Sequence, residues 1–436
     1  MLKRIVIILG CVFLLFISWS SVLGMDTTTP LERQIALINA ADVEIERGTH
    51  INAVPMLMQA LSYETEFTVS VLERLKSIHL FFGHIHEFER ILNMQIARDD
   101  VSAGNFDELA RHHMQQGRLA DALSVLRQGV ARTGDEALKY FYEQERYAFT
   151  TSRVAFEDVT AFFNSGLQVK NDGLWGLANM QGRIVIPNMY TQISTFDTAD
   201  GGSIVAMRPD GAVVTVNLSN YPTAVFEADF DIVQIGNLSQ DTIPLKTGNG
   251  NWILANSRLF TTGEEFEEVS VVSNSAIAIK TSDGWGVMRL NGETIVPFEY
   301  DEIIMDEVGQ FYIHSTVFAR RGDRVYLYRE GVPITETFED ARPFADTGWA
   351  AVKRDGAWGF VNVTGEIQIG FHFEDALSFG QHLAPVRVGD YWGYISIYGA
   401  IAIEPQFYEA RRFYHGSAPV LTEHGWQIIT LVERLD

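Results

Sequence analysis

The pattern that decides the fold is AAVKRDGAWGFVNVTGEIQIGFHFEDA, at residues 350–376. Apolar and polar residues alternate along it, and turn signals at 355–356 (Asp-Gly) and 364–365 (Thr-Gly) interrupt the alternation. Such alternation is typical of half-buried β-strands, and an Asp-Gly pair accepts the positive φ angles of a tight hairpin turn. The stretch therefore predicts three short strands joined by two turns, with a Trp-Gly pair at 358–359 on the second strand.

The Trp-Gly pair returns throughout the C-terminal two-thirds of the chain. The intact pairs are Trp175-Gly176, Trp285-Gly286, Trp358-Gly359 and Trp392-Gly393. Degraded copies lie at Val213-Val214, Trp252-Ile253, Tyr326-Leu327 and Trp426-Gln427. Copies at intervals of roughly 36 residues indicate a repeat protein, and repeat arrays mostly present surfaces for binding.

A large ring beside a residue without a side chain is typical of a repeat anchor. The ring contributes buried area, and the glycine leaves room for a neighbouring backbone or ring. The predicted structural anchors are Trp175, Gly176, Trp285, Gly286, Trp358, Gly359, Trp392, Gly393 and Trp426. The alternative is that the tryptophans form exposed platforms on which sugars stack.

Each unit closes on an aromatic residue that is usually followed by an acid, as in Tyr300-Asp301. Because the acids recur once per unit, we interpret them as architectural and not as general acids or bases. A carboxylate at this place can accept N–H groups of a turn or meet a basic residue such as Arg342 or Arg411.

From Leu167 to Asp436 the units resemble the bacterial WG-repeat family, in which an Asp-Gly turn, a Trp-Gly strand and a third apolar strand follow one another. The resemblance implies a β domain of seven to eight units at residues 166–436. Three to four short strands per unit suit a β-propeller, and an open β-solenoid satisfies the same local pattern. The last unit stops soon after Trp426, which fits ring closure by strands from both ends and also fits the end of an open array.

Residues 30–150 show helical spacing instead of alternation. Glycines stand 35 and 34 residues apart at Gly48, Gly83 and Gly117. A glycine ends a helix at low cost, and a small residue five places later lets the next helix pack closely. These units resemble tetratricopeptide repeats, although Phe88 stands where a small residue is expected, and the resemblance implies a groove for a peptide or partner helix. The alternative is an ordinary bundle of helical hairpins.

The N-terminus has the pattern of a secretory signal. Lys3 and Arg4 precede the apolar run 5–17, which predicts a signal peptide at residues 1–24 with cleavage near Gly24. The alternative is an uncleaved membrane anchor at residues 5–24. The one cysteine, Cys11, lies in this segment, so we expect an extracytoplasmic protein (secreted, periplasmic or in the cell envelope) without disulfides.

Charge and motifs limit the remaining functions. The 56 acidic residues outnumber the 33 basic ones, and a net charge of -23 disfavours nucleic acids as partners. There is no Gly-x-Ser-x-Gly elbow, no phosphate-binding glycine loop and no second histidine after His86-Glu87 to complete a zinc helix. The segment 197–202 has two acids but not the spacing of a calcium loop. We therefore predict no catalytic residue, no metal and no cofactor.

Together these patterns predict a non-catalytic, exported interaction scaffold with two repeat surfaces for protein or peptide partners. One alternative is a protein that binds cell-wall polymer or another glycan. The other is an enzyme whose residues converge only at a propeller mouth.

Overall fold

The computed structural model describes residues 28–163, 166–195, 202–218, 224–345 and 347–433. The chain divides after Arg146 into two compact units. Within the described ranges, no helix is both long and apolar enough to cross a membrane. The predicted signal or anchor at 1–24 and the acids of the segment 197–202 lie outside the described residues.

The first unit is helical. Its described α-helices are α1 (Pro30–Glu46), α2 (His50–Ala60), α3 (Thr68–Phe81), α4 (Ile85–Ile96), α5 (Ala103–Gln115), α6 (Leu119–Thr133) and α7 (Glu136–Glu145), with a 3-10 turn at Leu61–Tyr63. Thr29 begins α1 as an N-cap, because its hydroxyl accepts the N–H of Glu32 while the Glu32 carboxylate accepts the N–H of Thr29.

Three helical hairpins follow the period seen in the sequence. Gly48, Gly83 and Gly117 have φ values of 79°, 67° and 70° and end α1, α3 and α5, as predicted. Five residues beyond each glycine, the side chains are buried, and they are Ala53, Phe88 and Ala122. The bulky Phe88 packs against His112, with ring centroids 5.1 Å apart in an edge-to-face arrangement. The finer resemblance to tetratricopeptide repeats stays a prediction.

The second unit consists of eight four-stranded antiparallel sheets, or blades. Blade 1 is β2 (Asp158–Val159), β3 (Gly166–Asn171), β4 (Leu174–Asn179) and β5 (Ile184–Tyr190); blade 2 is β6 (Gln192–Ile193), β7 (Ser203–Met207), β8 (Val213–Asn217) and β9 (Ala224–Glu227). Blade 3 is β10 (Ile232–Ile235), β11 (Ile243–Thr247), β12 (Trp252–Ala255) and β13 (Thr261–Phe266); blade 4 is β14 (Glu268–Val269), β15 (Ala276–Thr281), β16 (Gly284–Arg289) and β17 (Thr294–Tyr300). Blade 5 is β18 (Glu302–Ile303), β19 (Thr316–Arg321), β20 (Arg324–Arg329) and β21 (Val332–Phe338); blade 6 is β22 (Asp340–Ala341), β23 (Trp349–Arg354), β24 (Ala357–Asn362) and β25 (Ile367–Phe373). Blade 7 is β26 (Asp375–Ala376), β27 (Leu383–Val388), β28 (Tyr391–Ser396) and β29 (Ile401–Phe407); blade 8 is β30 (Glu409–Ala410), β31 (Ser417–Thr422), β32 (Gly425–Leu431) and β1 (Phe149–Thr151).

The ring closes with strands from both ends of the unit. Strand β1 pairs with β32, so the first strand of the unit completes its last blade. Phe156 and Trp426 then exchange backbone hydrogen bonds of 2.8 and 2.9 Å. The predicted propeller is therefore confirmed, and the open solenoid is excluded.

The sequence predicts a β domain from residue 166, where alternation of apolar and polar residues can first be recognised. In the structure the β unit begins earlier, at Tyr147. Strands β1 and β2 contain only three and two residues. Alternation cannot be recognised over so short a stretch, because it needs four or more residues to show a period of two. The Asp-Gly turns do have the predicted geometry, since Asp355 and Gly356 have φ values of 51° and 80°.

The core of the propeller lies between neighbouring blades. Ala278 and Val287 of blade 4, for example, share one buried cluster with Phe311, Val317 and Tyr328 of blade 5. Each blade thus buries its apolar face against the next one, as neighbouring units do in other repeat proteins.

Candidate functional site

The tryptophans of the repeats belong to the core. Trp358, Trp392 and Trp426 are buried, and Trp175 and Trp285 are half-buried. None of the tryptophans in the described residues is exposed. The recurring rings therefore anchor the blades, and the described part of the chain contains no exposed tryptophan on which a sugar could stack.

The glycine of each pair faces a bulge in the adjacent strand. Trp358 pairs with Phe373, but Phe360 pairs with Ile369, so residues 370–372 lie opposite the single Gly359. A Cβ on Gly359 would lie 2.8 Å from the carbonyl oxygen of Ile369. The same close approach of the neighbouring strand occurs at Gly176, Gly286 and Gly393. Glycine is required there because the outer strand passes directly over it.

The aromatic residues that end the units are the cross-strand partners of the tryptophans. The pairs are Trp175 with Tyr190, Trp285 with Tyr300, Trp358 with Phe373, and Trp392 with Phe407. Two guanidinium groups cover ring faces, that of Arg342 at 4.3 Å from the Trp358 centroid and that of Arg411 at 4.5 Å from the Trp426 centroid. These contacts add cation–π attraction to the buried area.

The acids that follow the terminal aromatics join one blade to the next. Asp301 accepts the N–H of Gly322 at 2.7 Å, and Glu339 accepts the N–H of Gly356 at 3.0 Å. Both glycines lie in hairpin turns of the following blade. This geometry is the one expected for an architectural carboxylate, with the turn N–H groups as its partners.

One connection in blade 5 is longer than its counterparts and reaches across the ring to blades 8 and 1. The connection between β18 and β19, residues 304–315, is twice as long as the connection between β26 and β27, residues 377–382. We call residues 304–315 the plug. Asp306 forms an ion pair of 2.7 Å with Arg412, and Glu307 forms one of 3.1 Å with Arg411. The plug belongs to blade 5 and the two arginines to blade 8, so these pairs must cross the mouth.

The plug also reaches the first blade. The second oxygen of Glu307 accepts the N–H of Ala161 at 3.0 Å. The second oxygen of Asp306 accepts the N–H groups of Val308 and Gln310, which fixes the shape of the plug. Burial raises the pKa of Glu307, and Arg411 and Arg412 oppose this rise. Both carboxylates thus combine an ion pair with blade 8 and backbone N–H groups that they accept, which ties the plug to blades 8 and 1.

We expect Arg412→Met to destabilise the propeller by about 1–3 kcal/mol, because it leaves the largely buried Asp306 carboxylate without its cation. The midpoint of urea unfolding, followed by tryptophan emission, measures the effect. Arg321→Met is the matched control, since Arg321 pairs with Glu299 on the surface and should cost less than about 1 kcal/mol. Equal losses in the two variants would show that the plug pair is no stronger than a surface pair.

The helical unit exposes a cluster of large apolar side chains, which we call the aromatic patch. The exposed fractions of its members are Ile51 52%, Leu80 57%, Phe81 72%, Phe82 41% and Ile85 39%. The rings of Phe81 and Phe82 lie 5.1 Å apart, edge to face. The patch is formed where α3 ends and where α2 and α4 begin.

Two histidines border the aromatic patch. The ring of His50 lies 5.2 Å from that of Phe81, and His84 stacks on Phe82 at 5.7 Å. Beneath them, Nδ1 of the buried His79 lies 3.4 Å from Nδ1 of His84. The described residues contain no cluster of three or more His, Cys, Asp or Glu side chains that could hold a metal ion.

Acid should weaken the helical unit. Burial is the main cause that lowers the pKa of both His79 and His113. The unfolded chain therefore binds more protons, and stability is lost as the pH falls from about 6.5 through the lowered folded values. We expect far-UV circular dichroism to show a lower melting temperature for the helices at pH 5.5 than at pH 7.5. The double variant His79→Gln, His113→Gln should lose most of this difference, and an unchanged difference would contradict the assignment.

The fold and its anchors define an eight-bladed β-propeller of tryptophan-glycine repeats that follows a helical unit. Four stretches match the family model described as "WG containing repeat", at residues 175–201, 285–307, 358–392 and 392–423, and each begins at the tryptophan of an intact pair. These stretches of the β unit are WG-containing repeats.

Solved structures with a similar arrangement include BamB from Moraxella catarrhalis, at 10% identity and a TM-score of 0.44, which covers 65% of this chain and 99% of that one. The computationally designed Ika8 protein aligns at 11% identity and a TM-score of 0.43, over 65% of this chain and 100% of that one. Comparison with the curated proteins gives no match.

Proposed function

We propose that this protein is a non-catalytic, exported interaction scaffold whose helical unit binds a protein partner through the aromatic patch. The motifs that recur in the propeller serve its own core and the links between its blades. We therefore assign the propeller the role of a rigid platform. The pattern of Lys3, Arg4 and the apolar run 5–17 supports export.

The aromatic patch is the observation that carries this proposal. Folded monomers rarely leave several large apolar side chains exposed side by side, and such clusters mark binding surfaces. The patch combines aliphatic and aromatic side chains, which favour an apolar protein segment over a polar glycan. The net charge of -23 opposes anionic membranes and nucleic acids as occupants.

Affinity capture from a cell-envelope extract tests the proposal. The baits are the mature chain and its double variant Phe81→Ser, Phe82→Ser, followed by mass spectrometry. Tyr140→Ser is the matched control, because Tyr140 is an equally exposed aromatic residue on α7 of the same unit. We expect a stoichiometric protein to be retained by the mature chain and by the control but not by the double variant. Equal retention by all three baits would refute the role of the patch.

Binding of a glycan is the second candidate function, and a pair of exposed tyrosines favours it. Tyr391 and Tyr408 lie with their ring centroids 5.8 Å apart and their planes at 37°, and each is about half exposed. Such a pair can stack on a sugar ring. Soluble wall fragments should then protect both tyrosines from iodination, and Tyr391→Ala should abolish binding of these fragments. Unchanged iodination at saturating concentrations would exclude this site.

A further inference from the structure

We propose that the guanidinium of Arg411 and the backbone N–H of Ala161 form a carboxylate-binding site at the mouth of the propeller. In the free protein Glu307 of the plug occupies this site, and a glutamate in an exposed segment of another protein competes for it. The site belongs to the propeller and is separate from the aromatic patch of the helical unit.

The two donors of the site come from blades that do not carry the carboxylate. Arg411 lies in the connection between β30 and β31 of blade 8, and Ala161 lies between β2 and β3 of blade 1. One oxygen of Glu307 lies 3.1 Å from Nε of Arg411, and the other accepts the N–H of Ala161 at 3.0 Å. A cation beside one oxygen and an N–H group on the other are the partners that a bound carboxylate needs.

Arg411 is held in place by residues outside the plug. Its guanidinium lies 4.5 Å from the centroid of the Trp426 ring and 3.5 Å from a carboxylate oxygen of Glu409. Its backbone N–H donates to the carbonyl of Pro419 at 2.9 Å, and its own carbonyl accepts the hydroxyl of Tyr394 at 2.9 Å. The site therefore keeps its shape when the plug side chain leaves, and such preorganisation lowers the cost of binding another carboxylate.

Glu307 fits the site imperfectly. Although its oxygen is close, the Nε–H of Arg411 does not point at it, and within the described residues this buried nitrogen has no hydrogen-bond partner. Burial raises the pKa of Glu307 in spite of Arg411 and Arg412, so the ionised carboxylate gains less from these cations than it loses with its water. A carboxylate outside the plug can turn to accept both N–H groups, and giving a buried donor its partner removes a desolvation cost.

Exchange requires only that one side chain turns outward. The side chain of Glu307 is 37% exposed and that of Arg411 is 18% exposed, so the carboxylate lies nearer the solvent than the guanidinium. Asp306 pairs with Arg412, and its other oxygen accepts two N–H groups of the plug, which hold the backbone in place while Glu307 moves.

The ligand is expected to carry a single carboxylate. The present occupant is a glutamate in a polypeptide, so a glutamate of an exposed protein segment presents the same group in the same setting. The net charge of -23 repels segments with many acids, which favours a ligand that has one carboxylate and is otherwise uncharged.

A short peptide tests the site on the mature chain. The probe is an amidated hexapeptide that copies residues 304–309 with asparagine in place of its aspartate, labelled with a neutral BODIPY dye and followed by fluorescence polarisation. We expect Glu307→Ala to bind it about tenfold more tightly than the wild-type chain, because the competing side chain is gone. Glu302→Ala is the matched control and should bind as the wild type does, since it removes a carboxylate of the same blade that pairs with Arg320 instead.

Two further comparisons identify the groups that bind. In the Glu307→Ala background, Arg411→Lys should weaken binding about tenfold, because lysine keeps the charge but has no planar guanidinium to direct at the carboxylate. A probe with glutamine in place of its glutamate should not bind. Urea unfolding followed by tryptophan emission shows that each variant is folded.

Three results would overturn the proposal. The first is equal affinity of the wild-type chain, Glu302→Ala and Glu307→Ala for the probe, and the second is binding that survives Arg411→Lys or the glutamine probe unchanged. The third is displacement of the probe by acetate at concentrations as low as those of the unlabelled peptide, which would assign the site to a small carboxylic acid and not to a protein segment.

Discussion

A fragment of residues 166–436 is expected to fail to fold, whereas a fragment of residues 147–436 folds cooperatively. The shorter fragment lacks β1 and β2, and with them the pairing that completes blade 8. It also lacks Phe156 and Val159, which are buried in the cluster that contains Trp426. Losing one buried Phe costs about 3–5 kcal/mol. The whole loss, with the strand pairing, is comparable to the entire stability of a domain of about 5–15 kcal/mol.

Size-exclusion chromatography and thermal unfolding followed by tryptophan emission measure the difference. The described tryptophans all lie between residues 175 and 426, so their emission reports on the propeller in both fragments. We expect a sharp transition for residues 147–436 and aggregated or non-cooperative material for residues 166–436. A cooperative transition for the shorter fragment would show that the ring does not depend on its first strand.

The second large effect is expected from Gly359→Ala. The added methyl group would lie 2.8 Å from the carbonyl oxygen of Ile369 and 2.9 Å from the ring of Phe371. The bulged strand must then move away from Trp358, which loosens the anchor of blade 6. We expect a loss of about 3 kcal/mol, at the upper end of the usual cost of overpacking, because a backbone oxygen cannot move aside as a side chain can.

Gly370→Ala is the matched control in the same blade. A Cβ on Gly370 would meet only a ring atom of His372 at 4.0 Å, an ordinary contact. Its effect on the urea midpoint should stay within about 0.5 kcal/mol. If both variants lose the same stability, the cause is the general loss of glycine and not the close approach at the Trp-Gly pair.

The sequence predicts well those features that depend on residues close together in the chain. An Asp-Gly turn, a Trp-Gly strand and a glycine at the end of a helix each express a local backbone preference, and each recurs often enough to be recognised. The helical and β units and the propeller could therefore be predicted, and so could the buried place of Trp358, Trp392 and Trp426.

Two features of the candidate site had only a faint signal in the sequence. Trp285 and Tyr326 are 41 residues apart, whereas Trp358 and Trp392 are 34 apart, and this excess marks the plug. The consecutive residues 80–82, Leu-Phe-Phe, cannot all face the core of one helix, so some of them must reach the surface. Neither signal shows what the extra residues contact.

By itself, then, the sequence determined the repeats, their turns and the glycine that each anchor needs, because these follow from the conformations of neighbouring residues. Only the tertiary structure decided that eight blades close with β1 beside β32, that Glu307 meets Arg411 across the mouth, and that His50 and His84 border Phe81 and Phe82. These contacts join residues far apart in the chain or in separate helices. They arise from the angle at which each blade or hairpin packs on the next, and no local pattern encodes the sum of those angles.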